Sequence, residues 1–231
     1  MGESGRMSEI CYYCMMDIAP LIEHTLLRPD CCSQDILRLC EEASHYRFRG
    51  VCVPPYFVLH AKKMLENDQN VKVVTVIGFP VGYSVTQAKV AEIQQAVADG
   101  ADEVDVVING CAVSDGRWVD VRNDLDQMTR VVREADKLIK VIIEGALLSE
   151  EKILNCCDVC SDSGVDFVKT STGFFGGASI QMVRTMRERL PNPIRIKASG
   201  GIRDRATALA LVEAGADSIG TSSGPQLVQI V

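Results

Sequence analysis

Three times along the chain the same phrase recurs: a helical pattern closes on glycine, a small residue and an aspartate follow, and an apolar run begins. It reads GADEVDVVIN from Gly100, GVDFVKTST from Gly164 and GADSIGTSS from Gly215. Glycine suits the left-handed position that ends a helix, and the run after it reads as a buried strand. The repeated unit is a helix leading into a strand. Extended outward, the pattern predicts eight strands, near 20–27, 49–53, 71–79, 102–109, 139–145, 166–172, 193–199 and 217–222.

Between these runs the apolar residues recur at helical spacing. In 86–99 Val90, Ile93 and Val97 share one face, and in 204–214 Asp204 stands as the N-cap. Strands alternating with helices imply a parallel sheet, and eight such units predict an α/β fold, a TIM (β/α)8 barrel in one domain. An open doubly wound sheet competes, but no GxGxxG follows the first strand. The barrel is expected over 17–231, with 1–16 as a disordered N-terminal extension. After Gly224 the run PQLVQIV suffices for two helical turns, so another segment or a partner chain is expected to cover the last strand.

The charge balance, 24 Lys and Arg against 31 Asp and Glu, is −7, which argues against a nucleic-acid or anionic-membrane partner. Any phosphate must then be held by local groups. No apolar run of spanning length and no signal-peptide pattern is present, and Arg6 breaks the myristoylation start that MGESGR resembles. A cytoplasmic protein with reduced thiols is expected. Cys11 with Cys14 and Cys157 with Cys160 have metal-like spacing, yet the second pair falls with Ile153 and Cys156 on one helical stripe. It is expected to be packing, with no metal site.

Active groups in such a barrel sit at the C-terminal ends of the strands. Lys169 and Lys197 lie near those ends on neighbouring predicted strands, and alternation can turn both into the barrel mouth. Two ammonium groups in a partly dry site repel, and the cheapest relief is for one to lose its proton. A neutral lysine is a nucleophile for carbonyls and forms a Schiff base. These residues alone leave open which lysine attacks.

Asp105 falls on the same strand face as Glu103, Val107 and Asn109, and can neutralise a lysine or carry a proton. Lys89 and Lys140, away from predicted strand ends, are expected to be structural or peripheral. His24 is expected to hydrogen-bond at a strand end, and Cys52 to be a packed thiol. The turns TGFFGG, ASGGIR and GTSSG follow the sixth, seventh and eighth strands. Their bare N–H groups and serine hydroxyls suit a phosphate.

IEHTLLRPD, VCVPPYFV, TVIGFPVG, GADEVDVVIN, KVIIEG, GVDFVKTSTGF, IKASGGIR and IGTSSG occur in this order from Ile22 onward. Together they resemble the deoxyribose-phosphate aldolase family of Schiff-base aldolases. The resemblance implies reversible cleavage of 2-deoxy-D-ribose 5-phosphate to acetaldehyde and D-glyceraldehyde 3-phosphate, without metal or organic cofactor, in a dimer or tetramer of identical chains. It implies Lys169 as the Schiff-base nucleophile, Lys197 as the lysine that lowers its proton affinity, and Asp105 as the proton relay. It implies Gly173, Gly200, Gly201, Ser222 and Ser223 around the phosphate, with Thr25 and Thr172 also at the substrate.

Two departures stand out. Glu23 replaces the family's usual aspartate and is expected to contact a substrate hydroxyl. Gly145 replaces the threonine expected after VIIE. They leave two alternatives, a Schiff-base aldolase for another phosphorylated sugar and a silent barrel that binds a phosphorylated metabolite.

Overall fold

In the computed structural model, which describes residues 16–229, strand and helix alternate along the chain. The strands are β1 (Ile22–Thr25), β2 (Gly50–Val53), β3 (Lys72–Ile77), β4 (Glu103–Val107), β5 (Leu138–Ile142), β6 (Phe167–Lys169), β7 (Arg195–Ser199) and β8 (Ser218–Thr221). Around them run α1 (Ser33–Tyr46), α2 (Val58–Met64), α3 (Thr86–Ala98), α4 (Gly110–Ser114), α5 (Trp118–Glu134), α6 (Glu150–Asp162), α7 (Ile180–Arg189), α8 (Arg205–Glu213) and α9 (Gly224–Val228). Each strand pairs in parallel with the next, and β8 returns to β1. The expected barrel forms, and the open sheet does not.

The repeated phrase has a physical account. Gly100, Gly164 and Gly215 take positive φ of 100°, 64° and 113°, which turn the chain out of the preceding helix at little cost to a residue without Cβ. The aspartate two residues on, Asp102, Asp166 or Asp217, accepts with its carboxylate from the backbone N–H of Val73, Ile139 or Ile196 at 2.9, 2.9 and 2.7 Å. Its own N–H donates to the carbonyl of that same residue. Each repeat therefore clasps its strand to the previous one at the N-terminal end of the barrel.

Alternation divides the strand residues into two cores. Outward-facing Val51, Val73, Val104, Val106, Val141, Val168, Ile196 and Ile219 pack under the helices. The inward face carries a small apolar cluster of Cys52, Val74 and Val76 and, across from it, a group of buried charges. On α6, Ile153, Cys156, Cys157 and Cys160 are all buried as the stripe predicted, and burial pushes the Cys156 and Cys157 thiols up to about 12. Cys11, Cys14 and the N-terminal extension before Met16 lie outside the described residues.

The last helix is short, as its sequence requires. Leu227 is fully buried, and Arg205 donates to the carbonyls of Leu227 at 3.1 Å and Met16 at 2.7 Å. This ties both described ends of the chain to α8.

Candidate active site

Lys169 ends β6, and the register sets it beside Ile142 of β5 and Lys197 of β7. Asp105 of β4 stands beside Lys140 of β5. Because inward residues recur every second position, Asp105, Lys140, Lys169 and Lys197 all turn to the axis and meet there. Asp105 is the hub: Oδ2 accepts from Lys169 Nζ at 2.8 Å and Lys197 Nζ at 2.7 Å, while Oδ1 accepts from Lys140 Nζ at 2.9 Å. The two ammonium positions expected to face each other are thus bridged by a carboxylate.

Lys140 is not peripheral. It is fully buried at the barrel axis, 2.5 Å from Glu103 and 3.4 Å from Glu23. Its place mid-strand put it below the mouth, where strand-end reasoning does not look. Lys89 does play the structural part expected of it, bonding Asp124 at 2.9 Å and the Val107 carbonyl at 3.1 Å.

Burial alone would strip Lys197 of its proton, but Asp105 and Glu23 outweigh that cost and hold the ammonium above the usual lysine range. Lys140 is raised in the same way by Asp105, Glu23 and Glu103. Burial likewise opposes charge on the acids, yet Lys140, Lys169 and Lys197 hold Asp105 well below the carboxylate range. For Glu23, Lys140 and Lys197 win over burial and bring it to about 2.

Above this cluster opens a cleft of about 370 Å³ at the C-terminal mouth. It is lined by Lys169, Thr25, Thr172, Gly173, Gly200, Gly201 and Ser222, all expected from the sequence. Arg28, Phe174, Ser199 and Arg203 join them, and the sequence reading missed both arginines although they lie in the quoted segments IEHTLLRPD and IKASGGIR. Arg28 pairs with Asp30 and Asp35, whereas exposed Arg203 makes no ion pair among the described residues. Cavities of about 660 and 690 Å³ lie at the opposite end, lined by residues such as Arg49 and Lys72, away from Lys169.

Two expected lining residues are elsewhere. Glu23 is buried beneath the cleft, bonded to Lys197 and to Arg49 at 2.6 Å, so its carboxylate is spent inside the barrel. Ser223 is not among the residues lining the cleft, and its N–H donates to Thr221 Oγ1 at 2.9 Å. His24 bonds Glu42 at 2.7 Å as a strand-end hydrogen-bonding residue, and Cys52 packs inside the barrel.

The rim is held by its own hydrogen bonds. Ser199 Oγ donates to the Ser171 carbonyl at 2.6 Å, and the Ala178 N–H reaches the Ser199 carbonyl at 3.0 Å, locking the β6 and β7 loops together. Glu144 Oε2 accepts from the Thr172 N–H at 3.0 Å and from its hydroxyl. At Gly145, a Cβ would meet Met182 Sδ at 2.7 Å, so the methionine occupies the space of the missing side chain.

The DeoC/LacD family aldolase profile matches residues 17–229. A deoxyribose-phosphate aldolase of Thermococcus gammatolerans is 48% identical over 216 residues, 93% of this chain and 96% of that protein. One of Desulfitobacterium hafniense is 44% identical over 93% of this chain and 99% of its own length. Among solved structures, the tetrameric deoxyribose phosphate aldolase of Aeropyrum pernix superposes with a TM-score of 0.86 at 32% identity, covering 91% of this chain and 89% of that one. The chain belongs to the DeoC/LacD family of aldolases.

Proposed function

We propose that the chain cleaves 2-deoxy-D-ribose 5-phosphate reversibly to acetaldehyde and D-glyceraldehyde 3-phosphate through a Schiff base on Lys169. Its relatives carry the name of that activity over nearly their full length. One observation carries the choice of nucleophile. Lys169 lines the cleft, whereas Lys197 is sealed beneath it with its proton held by Asp105 and Glu23.

The Lys169 amine adds to the C1 aldehyde of the open-chain sugar, and the carbinolamine loses water to give an iminium. The iminium draws in the electron pair of the C2–C3 bond, the one bond placed to feed it. As that bond breaks, the C3 hydroxyl gives its proton to Asp105 through a water, and C3 becomes the aldehyde carbon of the three-carbon product. Asp105 is a poor base beside three cations. Conversion of iminium to enamine removes a positive charge next to it, so its affinity for a proton rises at the step that needs it. The enamine then takes that proton at C2, and hydrolysis frees acetaldehyde and the amine.

The phosphate is read by the loops after β7 and β8, where Gly200, Gly201 and Ser222 line the cleft and Arg203 stands unpaired among the described residues. The reading includes a cytoplasmic homo-oligomer. The described cysteines are all free, a relative is tetrameric, and Tyr56, Val119 and Leu147 expose large apolar surfaces. Borohydride reduction in the presence of acetaldehyde, followed by peptide mass mapping, tests the chemistry. A stable adduct on Lys169 is expected; an adduct on Lys197 would reverse the roles, and none at all would sink the mechanism.

A further inference from the structure

One buried acid at the upper mouth has no part in the Schiff-base chemistry. Glu144 follows β5 with 7% of its surface exposed, and its backbone takes φ 52° and ψ 52°, a left-handed conformation that a residue with a Cβ enters at a cost. Hydrogen bonds on both sides impose that turn. The Ile143 N–H donates to the Lys169 carbonyl at 3.0 Å and the Gly145 N–H to the Thr170 carbonyl at 2.9 Å. The chain on either side of Glu144 is therefore pinned to the segment that carries the nucleophile.

From there the side chain reaches across to Thr172. Oε2 accepts from the Thr172 N–H at 3.0 Å and from its hydroxyl, while Oε1 has no hydrogen-bond partner among the described residues. A hydroxyl has one proton to give and two lone pairs that accept. At Thr172 the proton goes to Glu144, and one lone pair takes the Phe174 N–H at 3.1 Å. What Thr172 has left for the cleft that it lines is a single acceptor site.

We propose that Glu144 is a positioning residue that fixes the Thr172 hydroxyl as a hydrogen-bond acceptor, so that the cleft selects a substrate with a hydroxyl beside the carbon that becomes the aldehyde. This rests on the aldolase reading. In the open-chain sugar, C4 and its hydroxyl lie between C3, where the bond breaks, and the phosphate on C5. Thr172 has the matching place in the loop, three residues after Lys169 and directly before Gly173. The C4 hydroxyl can donate to the one acceptor site that Thr172 offers. A group without a proton in that position sets lone pair against lone pair, and a buried polar atom left unmatched is what makes such a site selective.

The test compares addition of acetaldehyde to D-glyceraldehyde 3-phosphate and to its 2-deoxy-2-fluoro analogue, in which fluorine fills the place of the hydroxyl but has no proton to donate. The readout is the ratio of the two kcat/KM values, because the intrinsic reactivity of the two aldehydes cancels between variants. Glu144→Met removes the acceptor and lets the Thr172 hydroxyl turn its proton to the fluorine, so the preference for the hydroxyl should fall by at least about tenfold. Thr172→Val should lower it as far, and the double variant no further than Thr172→Val alone. Glu144→Gln should keep the wild-type ratio, since the Thr172 N–H needs an acceptor and holds the amide oxygen toward the loop. A merely structural role slows both aldehydes alike. An unmoved ratio in Glu144→Met, or losses that add in the double variant, overturns the proposal. Should Glu144→Met not fold, NMR of threonine-labelled wild-type chain decides: the Thr172 hydroxyl proton, held on Glu144, should exchange slowly enough to give its own resonance, and its absence overturns the proposal. A wild-type chain that gives no adduct on Lys169 with acetaldehyde refutes the proposed function itself, whereas one that gives the adduct with the ratio unmoved refutes this inference alone.

Discussion

The two mouths of the barrel are built on opposite principles. At the C-terminal mouth, glycine turns and one lysine face an open cleft, and polar groups such as Arg203 have no ion-pair partner among the described residues. At the N-terminal mouth, Arg49, Glu23, Glu103 and Lys140 satisfy one another within 3.4 Å. Groups left unpaired at the top are available to a substrate. Groups paired at the bottom are already spent, and what they supply is a fixed field. Substitutions above should therefore change activity with little effect on stability, and substitutions below should do the reverse.

The largest effect is expected at the top. Lys169→Met removes the amine that makes the covalent bond, and aldolase activity should fall by at least about 10³-fold. The adduct should vanish from the peptide map. Because Lys169 has one side-chain partner among the described residues, Asp105, which keeps Lys140 and Lys197, the melting temperature should hold within a few degrees. A collapse in stability would show that the nucleophile also holds the barrel together and would erase the distinction.

Asp105 belongs to both regions, so its substitution should move both readouts. Asp105→Asn is expected to lower kcat by roughly 10²- to 10⁴-fold, the range lost with a proton-transfer group. It also leaves Lys140 and Lys197 each short of a carboxylate, so the protein should unfold at lower temperature than Lys169→Met. Equal melting temperatures would mean that the lower carboxylates alone satisfy both lysines.

Below, Lys140→Met is expected to cost about 3 kcal/mol, since it leaves Glu103, Asp105 and Glu23 without a shared cation in a dry interior. Urea unfolding would measure it. Glu23 gives the matching pH dependence. Its carboxylate takes a proton near 4.5 in the unfolded chain and at about 2 in the folded one, so the unfolded state binds the proton first as the medium is acidified. The stability it contributes is intact above about 4.5 and lost between there and about 2. Differential scanning calorimetry should show Glu23→Gln to be less pH-sensitive than wild type across that window.

The upper mouth was far more legible in sequence than the lower. Glycine pairs and a lysine at a strand end are local signals, and the repeated Gly-x-Asp fixes where each strand begins. The lower cluster depends on which residues sit side by side across strands, and register is a tertiary property. Lys140 reads as an ordinary mid-strand lysine until Asp105 is beside it, and Arg49 as a charge at the start of a predicted strand until Glu23 and Glu103 close on it. A signal was present: Glu103, Asp105 and Lys140 are charged residues inside otherwise apolar parallel strands, where an ion cluster can house them. Glu23 was expected at a substrate hydroxyl because it stands where the resembled family has aspartate, but its carboxylate reaches Arg49 on one side and Lys197 on the other.

The smallest predicted effect separates substrate reading from chemistry within the upper mouth. Gly200 has φ +87°, and a Cβ there would lie 2.9 Å from both the Gly176 carbonyl oxygen and Gly177 Cα, so alanine forces the β6 and β7 loops apart. Gly201, at φ +76°, has nothing within 4 Å of such a Cβ and faces only the conformational cost. If these loops hold the phosphate, Gly200→Ala should raise KM for the phosphorylated sugar about tenfold, which corresponds to about 1.4 kcal/mol of lost binding, and Gly201→Ala should raise it less. Acetaldehyde carries no phosphate, so the rate of its adduct formation on Lys169 should be the same in both variants and in wild type. A parallel loss of acetaldehyde labelling in Gly200→Ala would mean that the loop shift reaches the nucleophile itself, and that phosphate grip and Schiff-base chemistry are not separable parts of this mouth.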